Sequence, residues 1–188
     1  MVEEKKETQP EEKKGLLRST AEVAGLTILM FAIWYVVFTF ILANDSVSGP
    51  SMQPTFENND RIISIRHFTK KRGQVVVIKA PDQPNTLYIK RLIGLPGDTV
   101  ESKNDHLYVN GKEVNQSYLS KKWIANAHAA GMKYTNDFKV TVPKGYYWVM
   151  GDHRDVSNDS RRFGPVKANK IVSEVKLRYW PLTDISWF

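Results

Sequence analysis

The chain has 188 residues, 41% of them hydrophobic, and 27 Lys and Arg against 20 Asp and Glu give it a formal charge of +7. It contains no cysteine, which excludes a disulfide framework, a thiolate nucleophile and thiolate metal sites. The length suits one globular domain plus an extension.

The first stretch, "MVEEKKETQPEEKK", mixes Glu, Lys and Pro with almost no apolar content, the composition of a disordered tail; we assign residues 1–20 to it. Val23 to Ala43 then runs without a charge. About 20 such residues cross a hydrocarbon core of roughly 30 Å as a helix, and no polar face marks this one as a buried core helix. A cleaved secretory signal would have an apolar region of roughly 7–15 residues leading into a small-x-small site. Here the run leaves through "ILANDS", with Ile41 where a small residue would be wanted, so the reading is a retained anchor over residues 21–43. Lys13, Lys14 and Arg18 precede it and Arg61 is the first basic residue after it. The positive-inside rule therefore expects a single-pass protein of the cell membrane, with its N-terminus cytoplasmic and residues 44–188 outside. Residues 44–188 carry 22 basic and 14 acidic side chains. That excess suits anionic headgroups of a lipid bilayer as well as a plain solvated surface. No helix-turn-helix or RNP-type pattern accompanies it, so no nucleic-acid partner is expected.

The rest reads as strands. "RIISIRHF", "QVVVIKA" and "TLYIKRLIG" are short apolar runs, the last closed by the turn signal "LPGD". In "HLYVNGKEVN", Asn110-Gly111 between alternating runs predicts a two-residue hairpin. "FKVTV", "YYWVMGD" and "IVSEVKLRYWPL" follow, and Ser120 to Asn136 leaves room for a short helix. The expected fold is mainly β, an antiparallel sandwich or barrel-like domain behind one N-terminal transmembrane helix.

Three stretches could carry chemistry. In "SGPSMQPT", Pro50 and Pro54 stiffen the backbone on either side of Ser51, and Gly49 lets another chain approach. Such a loop is as readily an ordinary turn as a nucleophile's seat. In "YIKRLIGLPGD", Lys90 interrupts an apolar strand, with Tyr88 and Leu92 on its own face and Ile89, Arg91 and Ile93 on the other. A mid-strand lysine marks an edge or snorkels to water, unless it is buried; burial can lower its pKa by up to roughly 3–5 units and free the amine as a base. "GDHRDVSNDSRRFG" packs acids, arginines and hydroxyls between two glycines. A metal set of Asp152, His153, Asp155 and Asp159 does not match the ligand spacing of known loops, and with three arginines nearby Asp–Arg pairs fit better.

In that order, behind an N-terminal anchor, these three motifs resemble the bacterial type I signal peptidases (leader peptidases) in their Gram-positive, single-anchor form. The resemblance runs from the anchor to "LRYWP", with Leu119–Phe138 unplaced. It implies a Ser–Lys endopeptidase that removes signal peptides from secretory precursor proteins through an acyl-enzyme, cutting after small residues at −1 and −3. It further implies Ser51 as nucleophile, Lys90 as base, and Ser157 as the hydroxyl orienting the Lys90 amine. Asp159 would pair with Arg161 and Asp152 with Arg91, all four in support. Val47, Gly49, Met52, Tyr88 and Ile89 would bind substrate, with neither metal nor organic cofactor. Two departures stand out. His153 replaces the family's usual Asn, and Gly49 stands where some relatives carry a serine hydroxyl for the oxyanion. Backbone donors would have to hold the oxyanion here, the Ser51 amide first among them.

Other readings fit less well. Self-cleaving repressors with a Ser–Lys pair are soluble and carry a DNA-binding module. Penicillin-recognising enzymes use Ser-x-x-Lys, where this chain has Pro54. Sortases need a cysteine. A silent signal-sequence-binding relative would have lost Ser51 or Lys90. The sequence is mute on oligomeric state.

Overall fold

The computed structural model describes the backbone of residues 10–188 and the side chains of residues 19–188. It divides between Ile41 and Leu42 into two compact units. The first contains helix α1, Pro10–Val36, continued by a π-helical turn, Val37–Ile41. Part of the expected disordered tail, residues 1–9, lies outside the described residues; Pro10 to Thr20 are helical. Proline at the first helical position loses no hydrogen bond, and the Glu–Lys–Leu run behind it is made of good helix formers. Ser19–Ile41 has a mean hydropathy of 2.2 and buries none of its side chains within the protein, so it is long and apolar enough to cross a membrane. It stops short of the expected boundary at 43, because Leu42 and Ala43 belong to a strand.

The second unit is built on two antiparallel sheets. The strands are β1 (Leu42–Ser46), β2 (Arg61–Ile65), β3 (Val75–Lys79), β4 (Leu87–Gly94), β5 (Thr99–Lys103), β6 (His106–Val109), β7 (Lys112–Glu113), β8 (Phe138–Thr141), β9 (Tyr146–Met150), β10 (Val166–Lys167), β11 (Ile171–Trp180) and β12 (Ser186–Trp187). The larger sheet runs β1-β2-β11-β3-β4-β9-β10, with β12 beside β11; the smaller runs β7-β6-β5-β8. Helices α2 (Lys121–Ala129) and α3 (Ser160–Phe163) lie in the connections.

The unbroken apolar run of β3 has its reason here. Val75 to Ile78 are all buried because both faces of the central sheet are covered. Val75 and Val77 meet Val47, Met52, Phe56, Ile62 and Val175 on one face. Val76 and Ile78 meet Leu92, Val149, Val166 and Ile171 on the other. A third cluster, with Ile93, Trp148 and Met150 against Val100, Leu107, Val109 and Val142, joins the two sheets. Gly94 permits that junction, since a β-carbon there would lie 2.6 Å from a Val100 methyl. The Asn110-Gly111 turn is the expected one: φ is 53° and 76°, and Val109 pairs with Lys112.

Candidate active site

The site forms where β9 leaves β4. Arg91 is the first β4 residue paired with β9, opposite Met150. Leu87 to Lys90 keep their β3 partners but have an open outer edge. The loop after Ser46 reaches this edge as a series of turns. Gln53 N–H donates to the Pro50 carbonyl (3.0 Å) and Phe56 N–H to the Met52 carbonyl (3.0 Å), while the Met52 and Phe56 side chains plug the core with no exposed surface. Those two apolar anchors hold Ser51 in place.

Lys90, only 3% exposed, places its Nζ 2.8 Å from Ser51 Oγ. The same nitrogen donates to the Ile89 carbonyl (2.9 Å) and lies 5.1 Å from the centre of the Tyr88 ring. Burial pushes the Lys90 amine down to about pKa 8, against the opposing pull of the Asp159, Asp152 and Asp82 carboxylates.

The segment from Gly151 to Gly164 forms the back wall. Arg91 grips Asp152 with Nε on Oδ1 (2.9 Å) and Nη2 on Oδ2 (2.6 Å). Arg161 grips Asp159 likewise, at 2.9 and 2.8 Å. Burial works against charge on Asp159, but Arg161 and the Gly151 N–H (2.9 Å) outweigh it and hold the carboxyl below its ordinary pKa. The alternative metal set is thereby dispersed, each buried carboxylate being claimed by an arginine. His153 donates its backbone N–H to the Ser51 carbonyl (3.1 Å), and its ring stacks on Trp123 of α2 with centroids 3.9 Å apart.

A cleft of about 190 Å³ opens from Ser51 and Lys90, lined by Asp45 to Ser48 on one side, by Leu87 to Ile89 on the other, and by Ile62 and Val77 at its floor.

A family model described as "Signal peptidase, peptidase S26" matches residues 20–180. Signal peptidase IB of Staphylococcus aureus is 37% identical over 190 residues, spanning 93% of this chain and 95% of its own. This chain belongs to the S26 signal peptidase family. Signal peptidase I P of Bacillus subtilis subsp. natto is 41% identical over 165 residues, 84% of this chain and 88% of that protein. A solved signal peptidase I of Enterococcus faecalis aligns at 35% identity with a TM-score of 0.48, over 57% of this chain and 97% of that one. S26 enzymes are serine peptidases that work with a Ser/Lys dyad.

Within this S26 chain, Ser51, Lys90, Val47, Tyr88 and Ile89 meet at the cleft, and both expected Asp–Arg pairs are formed. Three expectations need correction. Met52 is fully buried beneath the loop and does not line the cleft. Gly49 also lies outside the lining; its φ of 84° is the left-handed conformation that favours glycine. Ser157 does not bond Lys90. Its Oγ is buried beside Asp159, outside hydrogen-bond geometry with any of the described residues, and the Lys90 amine turns to Ser51 and Ile89 instead.

Sequence reasoning passed over Arg154. Its guanidinium is buried against the Gly151 carbonyl (3.0 Å), Gln116 Oε1 (2.7 Å), Thr135 Oγ1 (3.3 Å) and the Tyr118 hydroxyl (3.1 Å). It ties the Leu119–Phe138 region to the back wall; the invisible signal was that three of these partners, Gln116, Tyr118 and Thr135, lie outside its own motif.

Proposed function

We propose that this S26 family member removes signal peptides from secretory precursors, with Ser51 as nucleophile and Lys90 as general base. The observation that carries the reading is the 2.8 Å contact between a buried Lys90 amine and the Ser51 hydroxyl. A neutral Lys90 can donate to the Ile89 carbonyl and still aim its lone pair at the Ser51 proton. Ser51 Oγ then attacks the scissile carbonyl as Lys90 takes that proton. Backbone N–H groups, the Ser51 amide first, hold the oxyanion; losing one such donor costs on the order of 10²–10³ in rate. Lys90 returns the proton to the departing amine, and an ester links the signal peptide to Ser51. A water, deprotonated by Lys90, hydrolyses that ester. Arg91–Asp152 and Arg161–Asp159 fix the wall against which this happens.

An extended peptide fits the cleft as an added strand, with main-chain partners along Leu87 to Lys90 and along Asp45 to Ser48, where β1 ends. Val47, Tyr88 and Ile89 then bound shallow pockets for the small residues at −1 and −3. The apolar helix serves as a single-pass anchor in the cell membrane. Lys13, Lys14 and Arg18 before it support a cytoplasmic N-terminus and an extracytoplasmic catalytic domain.

The test is cleavage of a secretory precursor in detergent by wild type, Ser51→Ala and Lys90→Ala proteins. The reading expects cutting after a small-x-small site by wild type alone. Cleavage by Lys90→Ala at a near-normal rate would place the base elsewhere. Signal-peptide binding without cleavage by any of the three would make the chain a recognition module.

A further inference from the structure

His153 touches the nucleophile's backbone at two points. Its N–H bonds the Ser51 carbonyl (3.1 Å), and its ring Nδ1 lies 3.2 Å from the Pro50 carbonyl oxygen. A carbonyl can only accept, so Nδ1 carries the hydrogen of this pair. The Pro50 carbonyl and the Ser51 N–H belong to one peptide unit. That unit is planar and trans, so its C=O and N–H point in opposite directions. Whatever holds the oxygen therefore aims the N–H. Bonding at the oxygen also polarises the N–H, strengthening what it donates by roughly 10–30% per bond. The Ser51 N–H itself has no acceptor among the described residues and stands free for a ligand.

The ring is in turn held. Trp123 of α2 lies parallel to it, with a 9° interplanar angle, and the His153 side chain is only 14% exposed. Resting on the Ser–Lys reading above, we propose that His153, clamped by Trp123, is a positioning residue that sets the Pro50–Ser51 peptide so that the Ser51 amide meets the oxyanion. Position 49, a glycine, offers no side-chain donor, so this chain depends on how well that amide is aimed. The α2 region, far from the dyad in sequence, thereby contributes to transition-state binding.

The experiment measures kcat and KM for precursor cleavage in detergent, per active site titrated with a serine-directed acylating inhibitor, so that misfolded enzyme is not counted. His153→Ala should lower kcat about 10-fold or more with KM little changed, since the oxyanion exists only in the transition state. Its affinity for a peptide boronate, which forms a tetrahedral adduct, should fall by a similar factor. Asn carries its amide nitrogen on Cγ, where His carries Nδ1, so His153→Asn should restore most of both. Trp123→Ala should shift kcat the same way by a smaller factor. An unchanged kcat per titrated site in His153→Ala, a loss confined to KM, or equal damage in His153→Asn would each overturn the proposal. Failure of the wild type to be acylated at Ser51 would instead overturn the Ser–Lys reading beneath it.

Discussion

Gly151 rests against the backbone of Ser51: a β-carbon at position 151 would lie 2.4 Å from the Ser51 carbonyl oxygen and 2.2 Å from Ser157 Oγ. Neither contact is sustainable, and the first is with main chain. Gly151→Ala must therefore push the nucleophile loop away from Lys90. A displacement of about 1 Å can cost 10²-fold, so kcat/KM for precursor cleavage should fall by about that much. Overpacking of this kind costs roughly 1–3 kcal/mol in stability. Normal activity in Gly151→Ala would mean that the wall retreats without moving Ser51.

With Lys90 as the base proposed above, its amine, at about pKa 8, should set the pH dependence. Only the neutral amine can accept the Ser51 proton, and at pH 7 roughly one molecule in ten has it. The kcat/KM of the enzyme should rise about tenfold per pH unit below 8 and level off above it. A profile flat from pH 6 to 9 would remove Lys90 as the base of the free enzyme.

The same burial costs stability. Lys90 has a lower pKa folded, about 8, than unfolded, near 10.5, so between these values the unfolded chain binds more protons and stability rises with pH. Below pH 8 the full penalty is present, of order 3 kcal/mol. Lys90→Met, similar in shape and uncharged, should therefore be inactive yet more resistant to urea at pH 7, with the advantage shrinking towards pH 10.5. A variant less stable than wild type at pH 7 would contradict this.

Removing one partner of the Arg91–Asp152 pair strands a buried charge. Asp152 is fully buried and Arg91 is 9% exposed. Asp152→Ala should cost about 3–5 kcal/mol in denaturant unfolding. The other Arg91 contacts, to the Gly73 carbonyl, the Thr55 hydroxyl and the Tyr118 ring, are uncharged and cannot neutralise it. A loss below 1 kcal/mol would show that water reaches the guanidinium.

Much of this was legible because it was local. The Asn110-Gly111 turn, the buried run of β3 and the Lys90 strand each follow from neighbours in the chain. The polar "LANDS" of β1 was hidden because it continues an apolar helix, and its strand character comes from pairing with β2 some twenty residues on. β5, "TVESK", is likewise made a strand by β6 and β8. In the site, the three motifs were weak one by one, and it was their joint resemblance to a known family that pointed to Ser51, Lys90 and the two ion pairs. Neither residue types nor spacing could reveal that Trp123 meets His153 thirty residues later, or that Arg154 gathers partners from the connections on both sides of α2. Such contacts are decided by tertiary packing, which no local pattern encodes. Ser157 shows the converse: its place in a motif suggested a bond that the packing does not make.

β4 parts from β9 at Arg91, leaving Leu87 to Lys90 with an unclaimed edge above the cleft. A groove that grips mostly main chain is indifferent to the identity of most residues passing through it. On the added-strand reading proposed above, one enzyme can serve a broad clientele that shares little sequence. What it screens is conformation: a segment already folded into helix or sheet has its own amides occupied and gains nothing by entering. The timing of each cut is then left to the client, which is open to the enzyme only while its cleavage region is still unstructured.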